Sequence, residues 1–170
     1  HFGAEDLAAL SGKPAGSSLQ AAVDARLAET RDGKAYHFSH EKVRTLLLES
    51  WDAAELRALN DKAAQRLEPV PDKSTEQISR LADYYMAGNA SSHRVAALTA
   101  LREAGRRAIE GFANRRAYAL MKFAADLTRQ GRTKDPVEYD CLELYAIAAH
   151  NVNRFEEAGI TVEEILPEAP

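Results

Sequence analysis

The sequence predicts a mainly α-helical chain, in which a small bundle carrying one β-hairpin is followed by antiparallel helical hairpins. Three observations predict it. Apolar residues recur three and four apart through most of the 170 residues. One Asp-Gly pair, Asp32-Gly33, precedes a stretch that alternates like a strand. Helix starts near residues 74, 91, 114 and 136 recur at roughly 20-residue steps, and two such steps make one hairpin unit of a helical repeat.

The elements follow in order. Ala4 to Leu10 reads as a short helix ended by Ser11-Gly12 and Pro14. Gly16-Ser17-Ser18 supplies N-cap candidates for a second helix with Leu19, Ala22, Val23 and Leu27 on one face. Asp32-Gly33 suits a two-residue type I′ turn, and Tyr36 and Phe38 alternate with Ala35 and His37. Ser39 is positioned to cap a helix starting at His40, with Val43, Leu46 and Leu47 as its buried stripe. Helix–helix–hairpin–helix is the order of a winged-helix domain, with the hairpin as the wing. Asp52 and Glu55 open the next helix as a capping pair, with Leu56, Leu59, Ala63 and Leu67 inward. Pro69-Val70-Pro71-Asp72 then breaks the helical pattern. The predicted division is a winged-helix-like domain over 1–68, a linker over 69–73 and a helical repeat region over 74–170.

Within the repeat region, Ser74 with Gln77 is a capping box for a helix carrying Ile78, Leu81, Ala82 and Tyr85, ended by Gly88. Ser91 or Ser92 opens the next, with Val95, Leu98, Leu101, Ala104, Ala108 and Phe112 inward. Asn114 is a cap candidate for a third, with Ala117, Leu120, Ala124 and Leu127, closed by Gly131. Asp135-Pro136-Val137-Glu138 combines an N-cap, a proline at the first helical position and an acid in the first turn. Tyr139, Leu142, Tyr145, Ala146 and Ala149 form that helix's inner face. A last short helix is expected over 162–166. Small residues at Ala104, Gly105, Ala108, Ala117 and Ala124 allow helix axes to approach closely, as in a tetratricopeptide-like stack.

Composition narrows the function classes. The apolar fraction of 45% and charged fraction of 28% are globular values. One cysteine excludes an intramolecular disulfide framework or a thiolate cluster. No apolar run is long enough to span a bilayer, and no secretory leader stands at the start. The expected setting is therefore cytoplasmic, with no membrane partner. The chain starts at His1 rather than Met, which is compatible with a piece of a longer protein. The net charge is −4, but it is unevenly spread. Residues 94–134 hold ten Lys or Arg against three acids, and residues 135–170 hold nine acids against one Arg. Either adjacent helices carry complementary faces, or the basic block meets an anionic partner.

No motif in the sequence carries a reaction. Ser11-Gly12-Lys13-Pro14 lacks the first glycine of a phosphate loop and puts proline where the hydroxyl belongs. His37 and His40 lie three apart with only Glu41 beside them, and read better as a strand residue and a helix-start residue than as a metal pair. Cys141 and His150 are nine apart on one predicted helix, about 13 Å, beyond nucleophile–base reach. Glu156, Glu157, Glu163 and Glu164 read as solvated acids. Trp51, the only tryptophan, reads as a core anchor. The helix preceding the hairpin carries Asp24 and Glu29 against Arg26, so a groove-reading role is disfavoured.

Tyr36-His37-Phe38-Ser39-His40-Glu41-Lys42-Val43-Arg44, followed by Leu46-Leu47-Leu48, resembles a signature of the STAND class of bacterial regulatory ATPases, relatives of AAA proteins. That class includes maltose-regulator-like activators and ATPase modules fused to protein kinases, histidine kinases or adenylyl cyclases. The stretches Leu56 to Asn60, Ala64 to Pro69 and Leu81-Ala82-Asp83-Tyr84-Tyr85 with Ala87-Gly88 are similar to the helices that follow it. So are Ala104-Gly105, Ala108, Phe112-Ala113 and Arg116-Ala117. Asn60 and Tyr84 depart from the pattern, since the family commonly has histidine there. The resemblance covers about residues 2 to 130. It implies a winged helix and helical repeats C-terminal to an ATPase core, with the winged helix holding the off state and the repeats sensing an inducer or partner. The family's nucleotide-binding motifs have no counterpart here, so no cofactor and no catalytic residue carry over. His40 occupies the position from which a winged-helix histidine approaches the nucleotide phosphates in some relatives.

The expected function is a non-catalytic regulatory and protein-interaction module, not an enzyme. Its partners are the parent ATPase core and an acidic protein held by Arg102, Arg106, Arg107, Arg115 and Arg116. The alternative is a transcription regulator whose basic 94–134 face touches nucleic acid.

Overall fold

Apolar side chains three and four residues apart commit most of the chain to helix, and short turns fold the helices back on one another. The computed structural model describes residues 2–30, 32–33, 35–133 and 135–166. Arg31 and Lys34 of the predicted turn, Lys134 of the basic block and residues 167–170 of the acidic block lie outside the described residues. The chain is mainly helical, with an early hairpin followed by helical hairpins, as predicted. It divides into two compact units, His1–Lys62 and Ala63–Pro170.

The first unit contains β1 (Phe2–Gly3), α1 (Ala4–Ser11), α2 (Gly16–Asp24), β2 (Ala28–Thr30), β3 (Ala35–Phe38), α3 (Glu41–Glu49) and the start of α4 (Ala53–Leu67). Its sheet has the order β1-β3-β2 and is antiparallel throughout. The register pairs Thr30 with Tyr36, so the connection is one residue longer than a two-residue turn centred on Asp32-Gly33 would give. Gly33 takes a left-handed φ of 67°, which a side chain would resist. Side chains complete the turn: the Thr30 hydroxyl accepts from Gly33 N–H (3.0 Å) and the Asp32 carboxylate accepts from Ala35 N–H (3.1 Å).

Several expectations for this unit fail for identifiable reasons. Ala15, not a Gly16-Ser17-Ser18 side chain, stands at the α2 N-cap. Ser39 does not cap α3. Its N–H bonds to Leu27 O (3.1 Å), which keeps it in the extended ladder, and His40 takes the N-cap position without a side-chain bond. Val43, Leu46 and Leu47 form no buried stripe, because no residue of α3 is buried. Leu46 is 56% exposed, Leu47 and Leu48 are also exposed, and Trp51, expected as a core anchor, is 48% exposed in the turn after α3. The physical reason is size. Among its described hydrophobic residues this unit fully buries only Leu19 and Ala28, and so short a run of elements cannot cover both faces of α3.

The second unit holds the end of α4, then α5 (Thr75–Ala87), a 3₁₀ turn (Ala90–His93), α6 (Arg94–Glu110), α7 (Asn114–Gln130), α8 (Pro136–Asn151) and α9 (Phe155–Ile165). The division falls inside α4, upstream of the two prolines, because Ala64 and Leu67 already pack on this unit's core. Ser74 and Gln77 make the reciprocal capping box, and Asp135 caps α8 ahead of Pro136. From α5 onward each helix packs on its successor, and α6 packs on α8 as well. Leu98, Leu101, Leu120, Met121 and Leu142 fill the centre, with Ala117, Ala124, Ala148 and Ala149 fully covered between helices.

Some boundaries move here too. Neither Ser91 nor Ser92 caps α6, which starts at Arg94 after the 3₁₀ turn, and Val95 is exposed. Ala113, not Asn114, stands at the α7 N-cap. Phe112 is 86% exposed, since α6 ends at Glu110 and Phe112 turns out of the helix at φ 57°. The last helix begins at Phe155 rather than at Val162. Its inward residues Ala158 and Thr161 are small or polar, so apolar spacing did not reveal the first turns.

Gly105 is the tightest joint. A Cβ built there would meet Met121 Cε at 2.5 Å, Sδ at 2.7 Å and Cγ at 2.9 Å, and Met121 is itself fully buried. Overpacking of this kind costs about 1–3 kcal/mol, against about 1 kcal/mol that Ala gains over Gly in helix propensity. Gly105→Ala is therefore expected to lower the urea midpoint of this unit, and Met121→Val in the same background to recover part of the loss. A Gly105→Ala chain as stable as the parent would contradict the close approach.

Candidate functional site

Pro69 and Pro71 stop α4, and the chain turns back through Asp72 at φ 45°. The Lys73 ammonium holds this turn by donating to the carbonyls of Glu68 and Val70, each at 2.6 Å. The turn, α5 and α6 enclose an open groove of about 740 Å³. Ile78, Leu81, Val95, Ala96 and Ala100 give it an apolar floor, and Glu68, Asp72, Lys73, Glu103 and Arg107 give it a charged rim. The rim is braced from within. Glu68 accepts from the Tyr85 hydroxyl at 2.8 Å, and Arg107 donates to Glu103 at 2.7 Å and to Thr75 Oγ1 at 2.9 Å. The groove offers shape and apolar area to a ligand, with Glu68, Lys73, Glu103 and Arg107 of its rim already engaged.

The basic block behaves as one half of an internal pairing. Arg102 bonds Asp140 of α8 at 2.7 Å. Arg106 joins Glu103 at 2.8 Å and also Glu110, Arg107 joins Glu103, and Arg116 of α7 joins Asp83 of α5. Arg129 reaches Glu164 of α9 at 2.8 Å. Of the five arginines expected to meet an acidic partner, Arg102, Arg106, Arg107 and Arg116 thus lie against carboxylates of this chain, and Arg115 is exposed. The Glu103 carboxyl is held below its ordinary value, mainly by its hydrogen bond from Arg106 against the opposing effect of burial.

The most buried of these pairings is Arg94 with Glu138. The Glu138 side chain is only 1% exposed, and its Oε1 accepts from Arg94 Nη2 at 2.8 Å and Nε at 3.1 Å. Thr133 adds its N–H (2.9 Å) and hydroxyl (3.1 Å). The same guanidinium donates to the carbonyls of Leu127 and, at 2.8 Å, Thr128, at the end of α7. Burial pushes the Glu138 carboxyl up, but the hydrogen bonds from Arg94 and Thr133 outweigh it and hold the group below its usual value. Sequence reasoning missed this joint, having read Glu138 as a first-turn capping acid. A second carboxylate, Glu157 of α9, accepts from Tyr118 (2.8 Å) and Tyr145 (2.5 Å).

His40 is exposed at the start of α3, and His37 lies opposite Glu29 across the hairpin at 3.4 Å. Cys141 is buried against Leu98 O, and burial pushes its thiol up to about 12, which leaves it protonated and inert. His150 packs edge-on against Phe155. Among the described residues no group of three His, Cys, Asp or Glu is placed to hold a metal, and no helix is long and apolar enough to cross a membrane. No protein-family model, curated protein or solved structure matches the chain at a significant level.

The Glu138 joint has a pH signature. A carboxyl held below its unfolded value contributes stability that is complete above the unfolded pKa and lost as the pH falls through the folded one. Stability is expected to decline as the pH drops from about 6 to about 3. Glu138→Gln should lower stability at neutral pH and flatten that acid limb, as read by urea midpoints across the pH series. An acid limb of unchanged slope would contradict the assignment.

Proposed function

We propose that the chain is a non-catalytic regulatory and interaction module of a larger STAND-type signalling ATPase. In this reading the helical hairpins sense a partner or inducer, and the hairpin-bearing unit passes that state to the ATPase core. The observation that carries it is the surface of the first unit, where Leu46, Leu47, Leu48 and Trp51 lie exposed together within six residues of chain. Apolar groups left out of so small a core are the material of a docking interface. The sheet order β1-β3-β2, with helices before the hairpin and after it, agrees with a winged helix. His40, exposed at the α3 N-terminus, is free in this reading to approach a nucleotide bound by the core.

The mechanism is a two-position interface. Docking the first unit on the ATPase core stabilises one nucleotide state, and a ligand that prefers the released form shifts the balance by its differential affinity. The α5–α6 groove is where the repeats would take that ligand. The nucleic-acid alternative draws no support from the basic block, whose charges are spent largely on carboxylates of the same chain.

The test has two parts. The reading frame that encodes the chain is expected to carry a P-loop ATPase domain upstream of His1. That domain, expressed separately, is expected to be retained by the immobilised chain. Leu46→Asp with Trp51→Ser should weaken retention at least about tenfold, as loss of anchor residues does, with unfolding of the second unit unchanged. A frame without a P-loop, or retention indifferent to both substitutions, would contradict the proposal.

A further inference from the structure

α9 is covered on one side only. Ala158 and Thr161 are buried against the preceding helices, and Glu157 and Glu164 are tied to Tyr118, Tyr145 and Arg129. The uncovered surface carries Phe155, Gly159, Val162 and Leu166, all exposed, at the i, i+4, i+7, i+11 spacing of a single stripe. Phe155 is 58% exposed and Leu166 is 65% exposed. The stripe runs about 16 Å, three turns of helix. At its middle, a Cβ built on Gly159 would meet nothing within 4 Å. Gly159 thus leaves the middle of the stripe open to solvent.

Charge says what kind of helix would fill it. Glu156 and Glu163, seven apart and exposed, line one edge of the stripe, and neither is paired with a basic side chain of the described residues. The other two acids of α9 are both engaged internally. We infer that the outward face of α9 docks an amphipathic helix of a partner protein, one whose apolar ridge enters the Phe155–Leu166 stripe and whose Lys or Arg edge pairs with Glu156 and Glu163. This site lies on a different helix from the groove and from the Leu46–Trp51 surface, and it stands or falls separately from the ATPase reading.

Two labelled 18-residue helical peptides test it, both with a Leu stripe, one with a Lys edge and one with a Glu edge. Fluorescence anisotropy at about 150 mM salt, where exposed charges are screened beyond roughly 8 Å, reads binding to the whole chain. The Lys-edged peptide is expected to bind at least tenfold more tightly than the Glu-edged one. Glu156→Lys with Glu163→Lys should reverse that order, and Val162→Asp should abolish binding of both. Glu76→Lys, at an exposed position of α5, should leave the preference unchanged. Both charge-reversed positions are exposed, so these variants fold and keep the test decisive if Val162→Asp does not. Equal affinity for the two peptides, no binding, or an equal effect of Glu76→Lys would overturn the proposal. So would a dimer in sedimentation equilibrium that Val162→Asp converts to monomer, since a second copy would then own the face.

Discussion

The helical unit depends on one buried carboxylate. Glu138 sits almost wholly out of solvent at the first turn of α8, a position where an unpaired charge would cost several kcal/mol. Arg94, from the first turn of α6, meets it and at the same time closes the last carbonyls of α7. One guanidinium therefore serves three helices. It neutralises a buried acid, satisfies orphan C=O groups, and places a cation at the negative end of the α7 dipole. The geometry leaves little freedom in how α6, α7 and α8 meet, because the planar fork divides its donors between the Glu138 carboxylate of α8 and the Leu127 and Thr128 carbonyls of α7.

The remaining charge pattern follows from that joint. Once α6 lies against α8, Arg102 falls opposite Asp140, and Arg129 of α7 comes to Glu164 of α9. Part of the surplus of cations over 94–134 and of anions over 135–170 is the signature of helices paired across their flanks, through Arg94, Arg102, Arg129 and Arg132. The exposed members of this set add little stability each. Their larger consequence is that the basic face is already occupied, which moves the search for partners to apolar surface: the α5–α6 groove, the Leu46–Trp51 region and the outer side of α9.

What was legible in the sequence is what local chemistry decides. Ser74 with Gln77, and Asp135 with Pro136, mark helix starts because the cap and the fixed proline φ act within four residues. Ile78, Leu81, Ala82 and Tyr85 are buried as their spacing requires. What was not legible needs knowledge of what lies opposite. Leu46 and Trp51 have core-like character but too little structure over them, and Phe112 is carried out by the early end of α6. Glu138 looks like a capping acid until Arg94, 44 residues earlier, is seen beside it. The groove arises from the turn that Lys73 staples, a tertiary event with no sequence motif. His40 and the arginines of the expected partner patch rest on resemblance and composition, and four of those arginines lie against carboxylates of this chain.

The most direct test of the central joint is a double-mutant cycle on Arg94→Met and Glu138→Leu, read by urea unfolding at neutral pH. Breaking one side of a buried pair typically costs about 3–5 kcal/mol. The two single variants should each lose stability on that order, while the double variant loses clearly less than their sum, with a coupling of about 2 kcal/mol or more. Additivity within about 0.5 kcal/mol would mean that the two residues act independently and that the meeting of α6, α7 and α8 is set by apolar packing alone.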